Sequence, residues 1–99
     1  MGPIYAVLTG DLVRSSTLSA DELQRVQDGL RTAARELAVA SWAADSLVVG
    51  ELDLFRGDSW QLLLRRPGPA LRAALFLRST LLAQGIADTR IAIGHGTVE

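Results

Sequence analysis

A chain of 99 residues, 48% of them hydrophobic, has room for one hydrophobic core and not for two, since single domains run to about 50–200 residues. Ten basic and eleven acidic side chains leave a net charge of −1, so no field of one sign draws in nucleic acid or an anionic membrane, and neither is expected as a partner. All ten basic residues are Arg and Cys is absent, which excludes a Schiff-base or Walker-type lysine, a disulfide framework, a thiolate zinc site and a cysteine nucleophile.

No run of residues approaches the roughly 18 apolar positions of a spanning helix, and the N-terminus lacks a basic stretch followed by a long apolar one. A soluble cytoplasmic protein is the expectation, with carboxylates and a single His as the metal ligands on offer. The first strand is predicted over residues 4–9, a mostly apolar run, Ile4-Tyr5-Ala6-Val7-Leu8-Thr9, that suits the middle of a sheet. Residues 10–17 then read as a loop with Gly10 at its entrance and Ser15, Ser16 and Thr17 at its exit, and backbone amides in such a loop can face an anion.

Ser19 followed by Glu22 matches a capping box, so a helix is predicted from near Ala20. Leu23, Val26, Leu30, Ala33, Leu37 and Ala40 recur at spacings of three and four, giving one apolar stripe. Gly29 inside that helix suggests close packing against the sheet, and Trp42 near its end is read as a packing residue rather than a ligand-stacking one. Residues 47–55 and 60–65 read as two strands of a hairpin. In the first, Gly50, Leu52 and Leu54 share one face and Glu51, Asp53 and Phe55 the other; in the second, Trp60, Leu62 and Leu64 oppose Gln61, Leu63 and Arg65. The apolar faces should receive the helices. The mixed faces should be open to water, a ligand or a second subunit.

The turn between them is Arg56-Gly57-Asp58-Ser59, where Gly57-Asp58 supplies the positive φ that a hairpin requires. Pro69 opens a second helix over residues 70–84, and Gly85 stops it. Leu71, Ala74, Leu75, Phe76, Leu77, Leu81 and Leu82 make that helix apolar around more than half its circumference, which points either to self-association as a homodimer or to a wide core. The last strand is predicted over residues 90–94, closing in an exposed turn at Gly94-His95-Gly96.

The order βαββαβ predicts an α+β, ferredoxin-like domain over residues 1–99, with a four-stranded antiparallel sheet and both helices on one face. In that topology the first and third strands are central and antiparallel. Asp11, after the first, then lies beside Asp58, at the start of the third, and two carboxylates on one sheet edge suit a hard cation such as Mg²⁺. The competing reading is that each Asp caps its own turn. Glu51 and Asp53 are read as solvated strand positions, and His95 as uninvolved in acid–base chemistry.

Gly10-Asp11-Leu12-Val13-Arg14-Ser15-Ser16, Arg56-Gly57-Asp58-Ser59-Trp60-Gln61 and Arg90-Ile91-Ala92-Ile93-Gly94-His95-Gly96 together resemble the N-terminal half of the bacterial SatD family. They are also similar to the palm core of class III nucleotidyl cyclases. The resemblance implies that Asp11 and Asp58 bind a divalent metal, Mg²⁺ or Mn²⁺, and that the backbone of Leu12, Val13 and Arg14 lies near a nucleoside triphosphate. It assigns no catalytic residue. Known cyclases continue through further strands, so the resemblance implies either the N-terminal part of a longer protein or a minimal form with incomplete chemistry. The alternatives from other classes are a non-catalytic module that dimerises through its open sheet face or second helix, and a metal-free regulatory domain for a small ligand.

Overall fold

Alternation along the strands decides which side of the sheet the helices cover. The computed structural model describes residues 3–40 and 47–97. Within them run β1 (Ile4–Leu12), α1 (Ala20–Ala38), β2 (Val48–Phe55), β3 (Ser59–Leu64), α2 (Ala70–Gln84) and β4 (Thr89–Thr97), with one 3₁₀ turn at Ser15–Thr17. The sheet is antiparallel in the order β2-β3-β1-β4, the ferredoxin-like arrangement. Ala6, Leu8 and Leu12 of β1 and Trp60, Leu62 and Leu64 of β3 are buried on one face, against Val26, Leu30, Ala33 and Leu37 of α1 and Ala73, Leu77 and Leu81 of α2. Each large apolar side chain buried there contributes about 1.5–3 kcal/mol, and that sum fixes the face. Tyr5, Val7, Thr9 and Asp11 take the opposite, open side.

The helix signals act as their chemistry dictates. The Ser19 hydroxyl accepts from the Glu22 N–H at 3.1 Å while the Glu22 carboxylate accepts from the Ser19 N–H at 2.9 Å. Gly85, at φ 78°, ends α2 and donates its N–H to the Leu81 and Leu82 carbonyls. No described helix is long and apolar enough to cross a membrane. Gly29 differs from expectation: a side chain there would meet Gln84 of α2 at 3.1 Å, so the close approach is to the second helix and not to the sheet. The packing role expected of Trp42 lies outside the described residues.

The interior of one strand and the ends of two others differ from the sequence pattern. In β2 three residues, Gly50 to Leu52, stand where β3 offers only Leu62, and Gly50 takes φ 71° to make the bulge. Two extra residues preserve the alternation, so Leu52 and Leu54 stay on the helix side as the pattern requires. β4 does not close at Gly94 but pairs with β1 through to Thr97, which places His95 in a strand opposite Ala6 rather than in a turn. β1 runs on through Gly10 and Asp11 instead of ending at Thr9, because Gly10 is paired on both sides, to Trp60 and to Ile91.

Gly10 is glycine for a steric reason. A Cβ built on it would lie 2.2–2.4 Å from three atoms of the Trp60 indole, whose ring is fully buried and rests on the bare backbone. Substituting Gly10→Ala is therefore expected to lower unfolding stability by about 2–3 kcal/mol, the upper part of the usual range for overfilling a core. Urea unfolding checks this, and an unchanged midpoint would show that the indole does not sit where we describe it.

Candidate functional site

The end of the sheet where β1 leaves and the β2–β3 hairpin turns is built outward from that indole. Trp60 Nε1–H donates to the Thr89 hydroxyl at 3.0 Å, and the Thr89 hydroxyl donates to the Asp11 carbonyl at 2.9 Å. A buried indole N–H without an acceptor costs about 1–3 kcal/mol, so the two bonds lock β3, β4 and β1 together at one level. Asp11 is thereby held in a strand, not in the loop expected of it, with Ser59 opposite on one side and Arg90 on the other.

On the open face the Asp11 carboxylate accepts from Arg90 Nε at 3.1 Å. Both partners are well exposed, 49% for Asp11 and 74% for Arg90, and such surface pairs contribute only about 0–1 kcal/mol. Asp58 follows a hairpin in which both Arg56, φ 57°, and Gly57, φ 76°, are left-handed. The sequence pattern assigns positive φ to Gly57-Asp58; the turn is instead centred one residue earlier. The Asp58 carbonyl accepts from the Leu12 N–H at 2.8 Å and its carboxylate accepts from the Ser15 hydroxyl at 2.8 Å.

Asp11 and Asp58 thus share one end of the sheet, one residue out of register, and are engaged by different partners. Asp11 opposes Ser59, and Asp58 turns to the loop that follows β1. The loop that follows β1 is itself tied down by backbone bonds. Leu12 is buried, and its N–H is taken by Asp58; the Val13 N–H donates to the Asp88 carbonyl at 2.9 Å. Arg14 is exposed at φ 57° in the left-handed region, with its carbonyl accepting from both the N–H and the hydroxyl of Thr17. Non-glycine residues in that region gather at functional sites, and Arg14 and Arg56 both lie at this end. Among the described residues neither guanidinium has a hydrogen-bond or ion-pair partner.

A shallow recess of about 360 Å³ opens beside the carboxylate of Asp11, lined by Thr9, Asp11, Phe55, Ser59, Arg90 and Ala92. The described residues contain no cluster of three or more carboxylate, imidazole or thiolate side chains close enough to hold a metal, so this is not a self-sufficient metal cage. Asp11 and Asp58 are the two carboxylates that this end of the sheet offers, the first on Arg90 and the second on Ser15, and carboxylate oxygen is the donor type that Mg²⁺ or Mn²⁺ takes. Glu51 and Asp53 are exposed, as expected of solvated strand positions.

Ser59, Thr89 and Arg90 are site residues to which the sequence pattern gives no role of their own, and Ser15, read there as a loop hydroxyl, is the partner of Asp58. Ser59 and Arg90 follow from Asp11 once the strand register is known; Thr89 carries no signal until Trp60 is seen to need an acceptor. No family model matches the chain, and no curated protein matches it.

Beneath the loop, Arg78 donates twice to Asp88, Nε to one carboxylate oxygen and Nη2 to the other, each at 2.9 Å. The Arg78 hydrogen bond holds the Asp88 carboxyl below the ordinary carboxylate value, against a smaller opposing effect of burial. A lowered folded pKa means that the contribution is complete above about pH 4, the unfolded value, and fades as pH falls through the lowered one. The acid limb of a stability–pH curve is therefore expected to flatten in Asp88→Asn; an identical limb in the variant would show that the pair adds nothing to folding.

Proposed function

We propose that the chain is a SatD-like palm domain of the nucleotidyl-cyclase type, and that its Asp11–Asp58 end binds a nucleoside triphosphate together with Mg²⁺ or Mn²⁺. The observation that carries this reading is the 2.8 Å bond from the Leu12 N–H to the Asp58 carbonyl, which ties the two aspartate-bearing segments together although they are 47 residues apart in the chain. In support, Ser15 orients one oxygen of Asp58, and among the described residues the Asp11 carboxylate is held by a solvent-exposed ion pair alone. A divalent ion outcompetes a single exposed guanidinium for a carboxylate, because the pair it replaces is worth so little.

Arg90, released from Asp11, is then free to meet a phosphate, and Arg14 and Arg56 lie in the two flanking turns with no side-chain partner among the described residues. The phosphate contact that the resemblance gives to the backbone of Leu12 and Val13 falls more naturally to these side chains, since both N–H groups are spent within the fold. When bound, the ion would neutralise charge on the phosphate oxygens. We assign no catalytic residue.

With only two carboxylates, the metal and the nucleotide are expected to bind together. Calorimetric titration should give heat for Mg²⁺ with ATP or GTP and none for Mg²⁺ alone. Affinity should fall at least tenfold in Asp11→Ala and in Asp58→Ala, each checked for folding by circular dichroism. A folded wild type that binds neither nucleotide, or binding indifferent to both substitutions, overturns the reading.

A second reading has its own support. Leu71, Leu75 and Leu82 of α2 remain more than half exposed, which favours a module that self-associates as a homodimer. The two readings concern different surfaces and are compatible.

A further inference from the structure

The two edges of the sheet are not alike. β2 is blunted by the bulge at Gly50 to Leu52, a common way of preventing one sheet edge from adding to another. β4 has no such device: its nine residues pair with β1 in unbroken register from Thr89 to Thr97, and among the described residues its outer edge faces no strand. It carries neither Pro nor Lys and one charge, Arg90. Above this edge lies a groove of about 400 Å³ between α2 and β4, whose apolar lining includes Leu71, Leu75 and Ile93, exposed by 64%, 54% and 41%.

We infer that β4 pairs antiparallel with β4 of a second copy about a two-fold axis at Ile93, making one continuous sheet across the dimer. This inference rests on the self-association reading above and names its surface. A two-fold arrangement is closed, so the free edge is consumed instead of propagating. With Ile93 on the axis, Thr89 faces the partner's Thr97 and all nine residues are used. Arg90 then faces the partner's Gly96, so the two guanidinium groups lie at opposite ends; a parallel pairing would set them side by side.

The helices follow from the same spacing. α2 packs on both β4 and β1, so its axis stands about one strand spacing from the two-fold, and the two copies of α2 come about 10 Å apart. That is the usual distance between packed helices, and Leu71 and Leu75 are the side chains that fill the gap. The strand is about 30 Å long and the molecule 18 Å thick in its thinnest direction, so pairing buries roughly 500 Å² per copy, or roughly 1,000 Å² in all, about the threshold for a specific interface. The rival surface is the open face, where Phe55 is exposed beside Asp11, and cross-linking at Gln61 distinguishes the two.

The absence of cysteine makes the test direct. Directly opposed antiparallel residues have Cα atoms about 4.5–5.5 Å apart, within disulfide reach. Sedimentation should show wild type moving toward twice the 10.6 kDa chain mass as concentration rises. Ile93→Cys should oxidise to a covalent dimer, whereas Gln61→Cys, on the open face, should not. Ile93→Lys, with unchanged circular dichroism, should stay monomeric at tenfold higher concentration. A wild type that is monomeric throughout overturns both self-association and this surface. A dimer that cross-links through Gln61→Cys and not through Ile93→Cys, or that survives Ile93→Lys, keeps self-association and overturns the β4 edge. A β4 edge that captures only strands of unrelated proteins also overturns it, since the wild type alone would then not dimerise.

Discussion

The Trp60 indole lying on Gly10 is the contact that the rest of the molecule depends on. It fills the core at the point where β1, β3 and β4 are level with one another, and it does so only because residue 10 has no side chain. Its N–H leads through the Thr89 hydroxyl to the backbone of Asp11. One large apolar ring thus sets the height of three strands and the position of a carboxylate at once. A packing constraint on the buried face becomes a placement constraint on the open face, since alternation in a strand leaves no other option for Asp11 once Gly10 and Leu12 face inward.

Electrostatics at this end of the sheet are balanced without being rigid. Asp88 is held by two parallel bonds from Arg78 and belongs to the foundation of the loop. Asp58 is oriented by one hydroxyl, and Asp11 by one exposed guanidinium. The three carboxylates therefore grade from fixed to replaceable, and the two replaceable ones are those that the palm-like reading requires. Arg14 and Arg56 occupy left-handed backbone that glycine or asparagine would take at lower cost, which fits a role for their side chains beyond the turn itself.

Much of the fold was legible in the residues. The three-and-four spacing from Leu23 to Leu37, the Ser19–Glu22 box and the alternation of Trp60, Leu62 and Leu64 each depend on local physics that sequence carries directly. The differences arise where a local signal had a distant cause. Gly10 reads as the entrance to a loop, yet it is a strand residue emptied to admit an indole fifty positions later. Gly94 and Gly96 read as a turn, yet they pair along β1. The carboxylates of Asp11 and Asp58 could be brought to one end of the sheet by topology alone. Their offset of one residue could not, because it depends on where the Arg56-Gly57 turn closes. Thr89 was silent, since a threonine carries no mark of the donor it will serve.

If the Asp11–Asp58 end is where metal and nucleotide meet, the most direct test is location rather than affinity: amide resonances of the labelled protein followed as Mn²⁺ is added in the presence of ATP. Paramagnetic broadening should be strongest at residues 11–15 and 57–59 and weakest toward Tyr5, about 20 Å away along β1. Broadening centred instead on the recess between α1 and β2, where Arg31, Arg35 and Glu51 meet, or no broadening beyond that of Mn²⁺ alone, would contradict it.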